Sequence, residues 1–299
     1  MIDHVVVAIP TFRRPKNLRR LLDAMAQLST NAEVRLVVAD NDAQEQEGFK
    51  LCAELAPKYR WPLKCVIASE RGIAQARNAL VHEALADGAD FIAMIDDDEW
   101  PAPDWIDQYL AAQHLNGADC LHGAILFDPE NGGSDTRPDI AGSSGMPQSA
   151  GNLFFRRETL AAMASPWFDP AFGLTGGEDK DFFLRLKSEG AKFAGADLAR
   201  VYGDVPEART SLVWLLTRAY SNGNSDMRVL LKYHPGAPLL FTEAAKIMGV
   251  LLLSLPLAVI LSFSPNRRMM PLIKLFRAAG KLSAIAGRRY NEYAAIHGE

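Results

Sequence analysis

Phe91-Ile92-Ala93-Met94-Ile95-Asp96-Asp97-Asp98-Glu99 is the stretch on which the fold turns. Five apolar residues read as a buried strand, and four acids stand where that strand emerges. Side chains at i and i+2 of an extended segment point the same way, so Asp96 and Asp98 converge while Asp97 faces away. Carboxylates packed this closely are unfavourable unless a positive charge sits among them. Oxygen-only donors suit a hard cation such as Mg²⁺ or Mn²⁺. The other reading is a solvated acidic loop that caps the next helix. The buried strand favours the cation, because α/β folds bind ligands at the carboxyl ends of their strands. Glu99 reads as a neighbour of an acceptor or as a solvated charge.

Working outward, β-type runs alternate with helical stretches. His4–Ile9, Val34–Ala39 and Leu63–Ala68 read as strands before the one at Phe91–Ile95. Between them, Pro15–Leu28, Gln46–Ala56 and Ile73–Ala86 read as helices. That alternation indicates βαβ units around a mainly parallel sheet, and runs such as Val5-Val6-Val7 fit strands buried on both faces. After Asp119–Phe127 come residues 128–150, rich in Gly, Ser, Pro and Asp. A loop of that length reads as a substrate-facing lid or a plain insertion. Order resumes at Gly151–Phe155, and helices are expected near Glu158–Ala164 and over Glu178–Glu189.

The 299 residues are 48% hydrophobic and 23% charged, enough to bury a large core. A net charge of −4 gives no support to nucleic-acid binding. Cys52, Cys65 and Cys120 form no metal-ligand spacing and read as thiols in a reducing compartment. The start of the chain passes directly into a strand without a signal-peptide pattern, so the catalytic part is expected in the cytosol. Neither GxGxxG nor GxxxxGK[ST] is present, against a dinucleotide-binding oxidoreductase or a P-loop enzyme.

The C-terminal part differs in composition, and the expected division is 1–232 and 233–299. Ile247–Phe263 is uncharged, contains Pro256 and is followed by Arg267, Arg268, Lys274, Arg277, Lys281, Arg288 and Arg289. It is near the lower length limit for a bilayer span. One crossing would put either the N-terminal domain or the basic tail on the wrong side. Membrane association through a hairpin turning near Pro256 resolves the conflict; so does a buried core helix or a second, weakly apolar crossing.

Polar groups recur at the expected carboxyl ends of strands. The first strand runs into Ile9-Pro10-Thr11-Phe12-Arg13-Arg14-Pro15, where backbone donors and two arginines suit a phosphate or nucleotide. The second runs into Ala39-Asp40-Asn41-Asp42, with capping as the alternative. The third leads to Glu70-Arg71-Gly72 and on to Arg77-Asn78; Arg77 reads as either a site or a surface residue. Gly176-Gly177-Glu178-Asp179-Lys180-Asp181 places acids in the first turn of a helix. Acids are stabilised there by the dipole, or one of them serves as a general base. Asp181 is expected to cap.

In this order the elements resemble the family 2 glycosyltransferases of the GT-A fold. The carrying residues are Ile9–Arg14, Ala39–Asp42, Arg71-Gly72 with Ala76–Asn78, the Asp96–Asp98 DxD element, and Gly177-Glu178-Asp179 before a helix. The resemblance covers residues 3–230 and implies a GT-A catalytic domain over 1–232. Val205–Arg209, Trp214–Tyr220 and Gly223–Ser225 look like the succinoglycan-type exopolysaccharide subgroup. The resemblance implies a divalent cation held by Asp96 and Asp98. It implies a nucleotide-sugar site of Pro10, Thr11, Arg14, Asp40, Arg71, Asp96, Asp97 and Arg209, and Asp179 as the base, with Glu178 the alternative. It further implies an inverting transfer from a nucleotide-diphosphate sugar, a UDP-sugar first, to a saccharide or lipid-linked acceptor at the cytoplasmic face of the plasma membrane.

Two features depart from that pattern. Trp214 to Arg218 does not match the QxxRW element of processive synthases, which argues for transfer of a single sugar. No late histidine is placed for the metal, and Asp204 stands in the corresponding region. A sugar-phosphate nucleotidyltransferase would need a Gly-rich basic loop after the first strand, and a catalytically inactive membrane scaffold would be expected to have lost its acids.

Overall fold

The computed structural model describes residues 2–127, 145–147, 149–204, 211–261, 263–264 and 267–292. Most of the expected lid over 128–150, and Arg209, lie outside the described residues. Nine α-helices, two short 3-10 helices and eight strands are described. The sheet order is β3-β2-β1-β4-β7-β6-β8-β5, where β1 is His4–Thr11, β2 Glu33–Asp40, β3 Leu63–Ile67, β4 Phe91–Met94, β5 Glu99–Pro101, β6 Cys120–Phe127, β7 Leu153–Arg156 and β8 Phe193–Gly203. The first four in that order run parallel, as the βαβ alternation requires. β7 and β5 run against their neighbours, so the sheet is mixed.

β1 shows why its apolar residues are continuous. Val5, Val7 and Ile9 pack with Leu18, Leu21, Leu22 and Met25 of α1 (Pro15–Met25) and with Trp105, Ile106 and Tyr109 of α4 (Trp105–Asn116). Val6 and Ala8 pack on the opposite face with Ala74, Ala76, Leu80, Val81 and Ala84 of α3 (Ile73–Asp87). A period of two on a sheet covered on both sides makes every position apolar. α2 (Glu47–Leu55) follows β2, and α5 (Arg157–Ala162) follows β7.

β5 and β8 were not expected. β8 carries Gly195, Asp197 and several alanines and lacks β-branched residues until Val201. It is a strand because β6 and β5 pair with it from both sides, with a bulge opposite Gly123/Ala124. Beside that bulge Asn152, 3% exposed, joins α4, β6 and β8. Its Oδ1 accepts from Trp105 Nε1 at 2.8 Å and Tyr109 Oη at 2.6 Å, and its Nδ2 donates to the carbonyls of Ala124 at 3.0 Å and Ala199 at 2.8 Å.

By contacts the chain forms two units: Met1–Gly173 with Asp181–Val205, and Leu174–Lys180 with Pro206–Gly298. The division at residue 205 lies earlier than the expected 232/233. Residue 232 falls within α7 (Leu212–Tyr233), which packs against α9 (Met270–Ile285) in the second unit. α8 (Ala237–Leu261) is one continuous helix, with Pro256 inside it rather than at a hairpin turn.

Asn152→Ala would leave two buried donors and two buried carbonyls without their partner. Each unsatisfied buried group costs about 1–3 kcal/mol, so the variant is expected to lose on the order of 3 kcal/mol or more. Denaturant unfolding followed by tryptophan fluorescence measures this, and a loss below about 0.5 kcal/mol would show that the hub is not needed.

Candidate active site

β1 and β4 are parallel neighbours, with Ala8 opposite Met94, so Thr11 and the acidic tetrad emerge at one edge of the sheet. β4 ends at Met94, and its side-chain alternation does not extend through the acids. Asp97 therefore does not face away, as the alternation predicted. It turns inward to 6% exposure, where Oδ2 accepts from Thr11 Oγ1 at 2.8 Å and Oδ1 from Arg14 Nη1 at 3.1 Å. The same Arg14 nitrogen lies 3.5 Å from Asp98 Oδ2. Asp96 meets another cation, Arg77 Nη2, at 3.3 Å from Oδ1.

Arg77 is 4% exposed on α3, and its guanidinium lies 5.6 Å from the Phe168 ring centroid. The surface alternative for Arg77 is thereby excluded. Its spacing within α3 gave one signal: it shares the buried face of Ala74, Leu80, Val81 and Ala84. Glu99, expected as a solvated charge or acceptor neighbour, opens β5 opposite Gly203 at 7% exposure. A Cβ built on Gly151 would lie 3.1 Å from Glu99 Oε1 and 3.5 Å from Asp96 Oδ2, so glycine lets both carboxylates approach this backbone.

The donor set for a cation can be judged from these contacts. Among the described residues, no group of three or more His, Cys, Asp or Glu side chains is arranged to hold a metal alone. Asp96 and Asp98 keep 32% and 27% of their side-chain surface exposed. One or two carboxylates completed by substrate phosphates and water are the usual protein share for Mg²⁺. The residues fit a cation that arrives with a diphosphate. Asp204 is engaged in an ion pair with Arg20, whose guanidinium stacks 3.5 Å from the Trp100 ring centroid.

Along the edge towards β2 and β3, two expected nucleotide contacts are interior. Pro10 is buried inside β1 opposite Ala39. Asp40 is 0% exposed, its oxygens accepting from the backbone N–H of Asp42 at 3.0 Å and of Phe49 at 2.9 Å. Both side chains are built into this edge from within, as is Thr11 at 4% exposure. Asn41 ties that loop to the next strand, donating to the carbonyls of Ala68 and Glu70 and accepting from Gly72 N–H at 2.6 Å. The accessible groups are Phe12, Arg13 and Arg71. The two guanidiniums lie 5.3 and 4.9 Å from the Phe12 ring centroid. Arg13 has φ 53 and is held by Asp42 Oδ2 at 2.6 Å. A non-glycine residue in that region is strained by about 1–3 kcal/mol, and such strain collects at functional edges.

The second acidic element opens α6 (Glu178–Ser188) after Gly176 and Gly177, whose φ values of 70 and 99 require glycine. Glu178 is 2% exposed, whereas Asp179 is half-buried. Asp181 is fully buried and pairs with Arg185 Nε at 3.2 Å, a structural role within the helix. Of the two candidate bases, only Asp179 has solvent-accessible surface of any size.

Burial pushes the Asp97 carboxyl up to about 7, against the opposing pull of Arg14 and the Thr11 hydroxyl. A raised carboxyl binds its proton more tightly in the folded chain than in the unfolded one. Its contribution to stability is full below its ordinary value of 3.8 and lost as pH rises through about 7. In metal-free thermal melts, Asp97→Asn is therefore expected to gain on the wild type as pH rises from 5 towards 8, on the order of degrees. A constant difference across that range would overturn the assignment.

Residues 6–169 match the family described as Glycosyl transferase family 2. The succinoglycan biosynthesis protein ExoM of Rhizobium meliloti (strain 1021) is 30% identical over 238 residues, spanning 76% of this chain and 75% of that protein. TarS 1–349 of S. aureus, solved in complex with UDP, is similar in structure with a TM-score of 0.56 at 15% identity, covering 96% of this chain and 93% of that one. Mannosyltransferase PcManGT from Pyrobaculum calidifontis, solved with GDP-Man and Mn²⁺, has a TM-score of 0.64 at 16% identity, covering 97% and 89%. The sheet with its flanking helices is accordingly of the GT-A type, and the chain belongs to the family 2 glycosyltransferases.

Proposed function

We propose that this glycosyltransferase is inverting and cation-dependent. It moves one sugar from a nucleoside-diphosphate sugar, a UDP-sugar first, to a lipid-linked saccharide in cell-surface polysaccharide synthesis. The observation that carries this reading is the set of three acids after β4, countered by Arg14 and Arg77, with Asp96 and Asp98 partly open. The UDP and the GDP-Man with Mn²⁺ in the two similar structures support a nucleotide-sugar donor.

Each residue then has a chemical task. Asp96 and Asp98 would hold Mg²⁺ or Mn²⁺, which would supply neutralising charge to the leaving diphosphate. Arg14 keeps the acids in register, and Arg71 beside Phe12 offers a guanidinium and a ring face to the nucleotide. Asp179 accepts the proton of an acceptor hydroxyl. The oxygen so activated forms its bond to the anomeric carbon from the face opposite the diphosphate. The bond from that carbon to the diphosphate breaks, and the configuration inverts. Arg209 and Thr11 complete the proposed donor set.

α8 supports work at a membrane. It is the one helix among the described residues long and apolar enough to cross one. Its apolar stretch, Ala237–Ser254, has 18 residues, about 27 Å of helix against about 30 Å of hydrocarbon. Phe241, Leu252, Val259 and Ile260 are each more than half exposed, which is unlike a core helix. Arg267 and Arg268 follow it, and α8 lying along the membrane surface rather than crossing keeps them and the catalytic residues on one side, against anionic headgroups. In this reading α8 and the basic residues after it hold the chain near a lipid-linked acceptor.

Titration calorimetry with UDP and GDP, with and without Mn²⁺, tests the donor side. Binding is expected to depend on Mn²⁺ in the wild type and to be lost in Asp98→Ala with the fold intact. Asp179→Asn should keep that binding and lose transfer by at least about 100-fold. Metal-independent binding, or near-normal transfer by either variant, would sink the proposal.

A further inference from the structure

The segment Leu174–Lys180 is a short excursion of the chain. Residues on both sides of it belong to the first unit, yet it groups with the C-terminal helices. Its two positive-φ glycines, Gly176 and Gly177, give it no rigidity of its own. A pair of polar tethers that flank those glycines fixes it to α7. Before them, Thr175, 5% exposed, accepts from Arg228 of α7 through its hydroxyl. After them, Lys180 Nζ donates to Asp226 Oδ1 of α7 at 2.7 Å. Asp226 is itself fixed from the other side, its Oδ2 accepting from Arg277 Nη2 of α9 at 2.5 Å.

The framework behind the tethers is stiff. A Cβ on Gly223 of α7 would lie 2.0 Å from the Arg277 carbonyl, and one on Gly280 of α9 would lie 2.0 Å from the Tyr220 carbonyl. The two helix backbones touch where glycine leaves room, one turn from Asp226. Asn224 adds a bond from Nδ2 to Ser283 Oγ at 2.8 Å. Burial works against the Asp226 charge, but Lys180 and Arg277 outweigh it and hold the carboxyl below its ordinary range.

We propose that Asp226 is a positioning residue for the transferase: through Lys180 it sets the place of the neighbouring Asp179, and Arg228 fixes the other end of the same loop through Thr175. This rests on the reading of Asp179 as the base. The tether is a salt bridge with 37% and 17% side-chain exposure, so it adds little to global stability. Its value lies in orientation, because a base displaced by about 1 Å can lose about 100-fold in rate. Donor binding depends on a different set of pairs, those of Arg14 and Arg77 with the tetrad, and should be indifferent to it.

The test uses the full chain with Asp226→Asn, Asp226→Glu and Lys180→Met, and two readouts. In Asp226→Asn, kcat is expected to fall about 10- to 100-fold with donor KM within about twofold. Asp226→Glu should recover part of the loss, and adding Lys180→Met to Asp226→Asn should cost little more, because both cut one tether. Independently of turnover, amide exchange over residues 174–180 should speed up in Asp226→Asn while that of β1 and β4 stays unchanged. Unchanged exchange of the loop overturns the proposal whatever the activity. So does a kcat loss below about twofold, or a KM that rises in step with the lost rate. If Asp179→Asn keeps near-normal transfer while loop exchange still responds to Asp226→Asn, the reading of Asp179 as the base fails and the tether stands.

Discussion

Burying the Asp97 carboxylate against Arg14 and Thr11 is the constraint on which the rest of the site depends. Three consecutive carboxylates repel one another, by about 4 kcal/mol for a pair 4 Å apart at an effective dielectric of 20. The fold offsets this with two cations from different elements. Arg14 comes from the turn between β1 and α1, and Arg77 from the buried face of α3. Both can arrive only if β1 lies next to β4, with the crossover helices packed on the two faces of the sheet. The order β2-β1-β4 and the inward turn of Asp97 are parts of one arrangement. It leaves Asp96 and Asp98 at the edge, balanced but not enclosed.

The first half of the sheet was legible because its physics is local. Val5 to Ile9, Leu36 to Ala39 and Phe91 to Ile95 are continuous apolar runs, and between them the leucines of α1 recur at helical spacing. The second half depends on partners far along the chain. β5 is three residues long, and β8 is an irregular strand whose pairing with β6 passes through a bulge. No window of sequence contains the reason for either.

The site divides in the same way. That acids would gather after β4 was readable; how they would turn was not. The alternation rule fails for Asp97 because it needs extended backbone, and β4 stops at Met94. Asp40 was recognised as special but assigned to the ligand. Two backbone amides hold it in place, that of Asp42 just after β2 and that of Phe49 in α2. Arg77 was left undecided because a charged residue on an apolar helix face makes sense only once its partner, Asp96, is known to lie beside it.

The acidic start of α6 shows how burial separates neighbours that composition treats alike. Glu178, Asp179 and Asp181 lie within four positions on one helix turn. Glu178 is buried, Asp181 is buried and spent on Arg185, and Asp179 retains surface. A base must reach a hydroxyl that comes from solution, so exposure selects among chemically equivalent acids. Such a residue carries a penalty: accessible surface means fewer packing contacts to hold it. Two glycines before it leave the approach to α6 loose, and contacts on either side of those glycines help to fix where it begins. Thr175 and Lys180, held by α7, are contacts of that kind. A rigid pair of helices, in van der Waals contact at Gly223 and Gly280, is a suitable place from which to hold a loop that cannot hold itself.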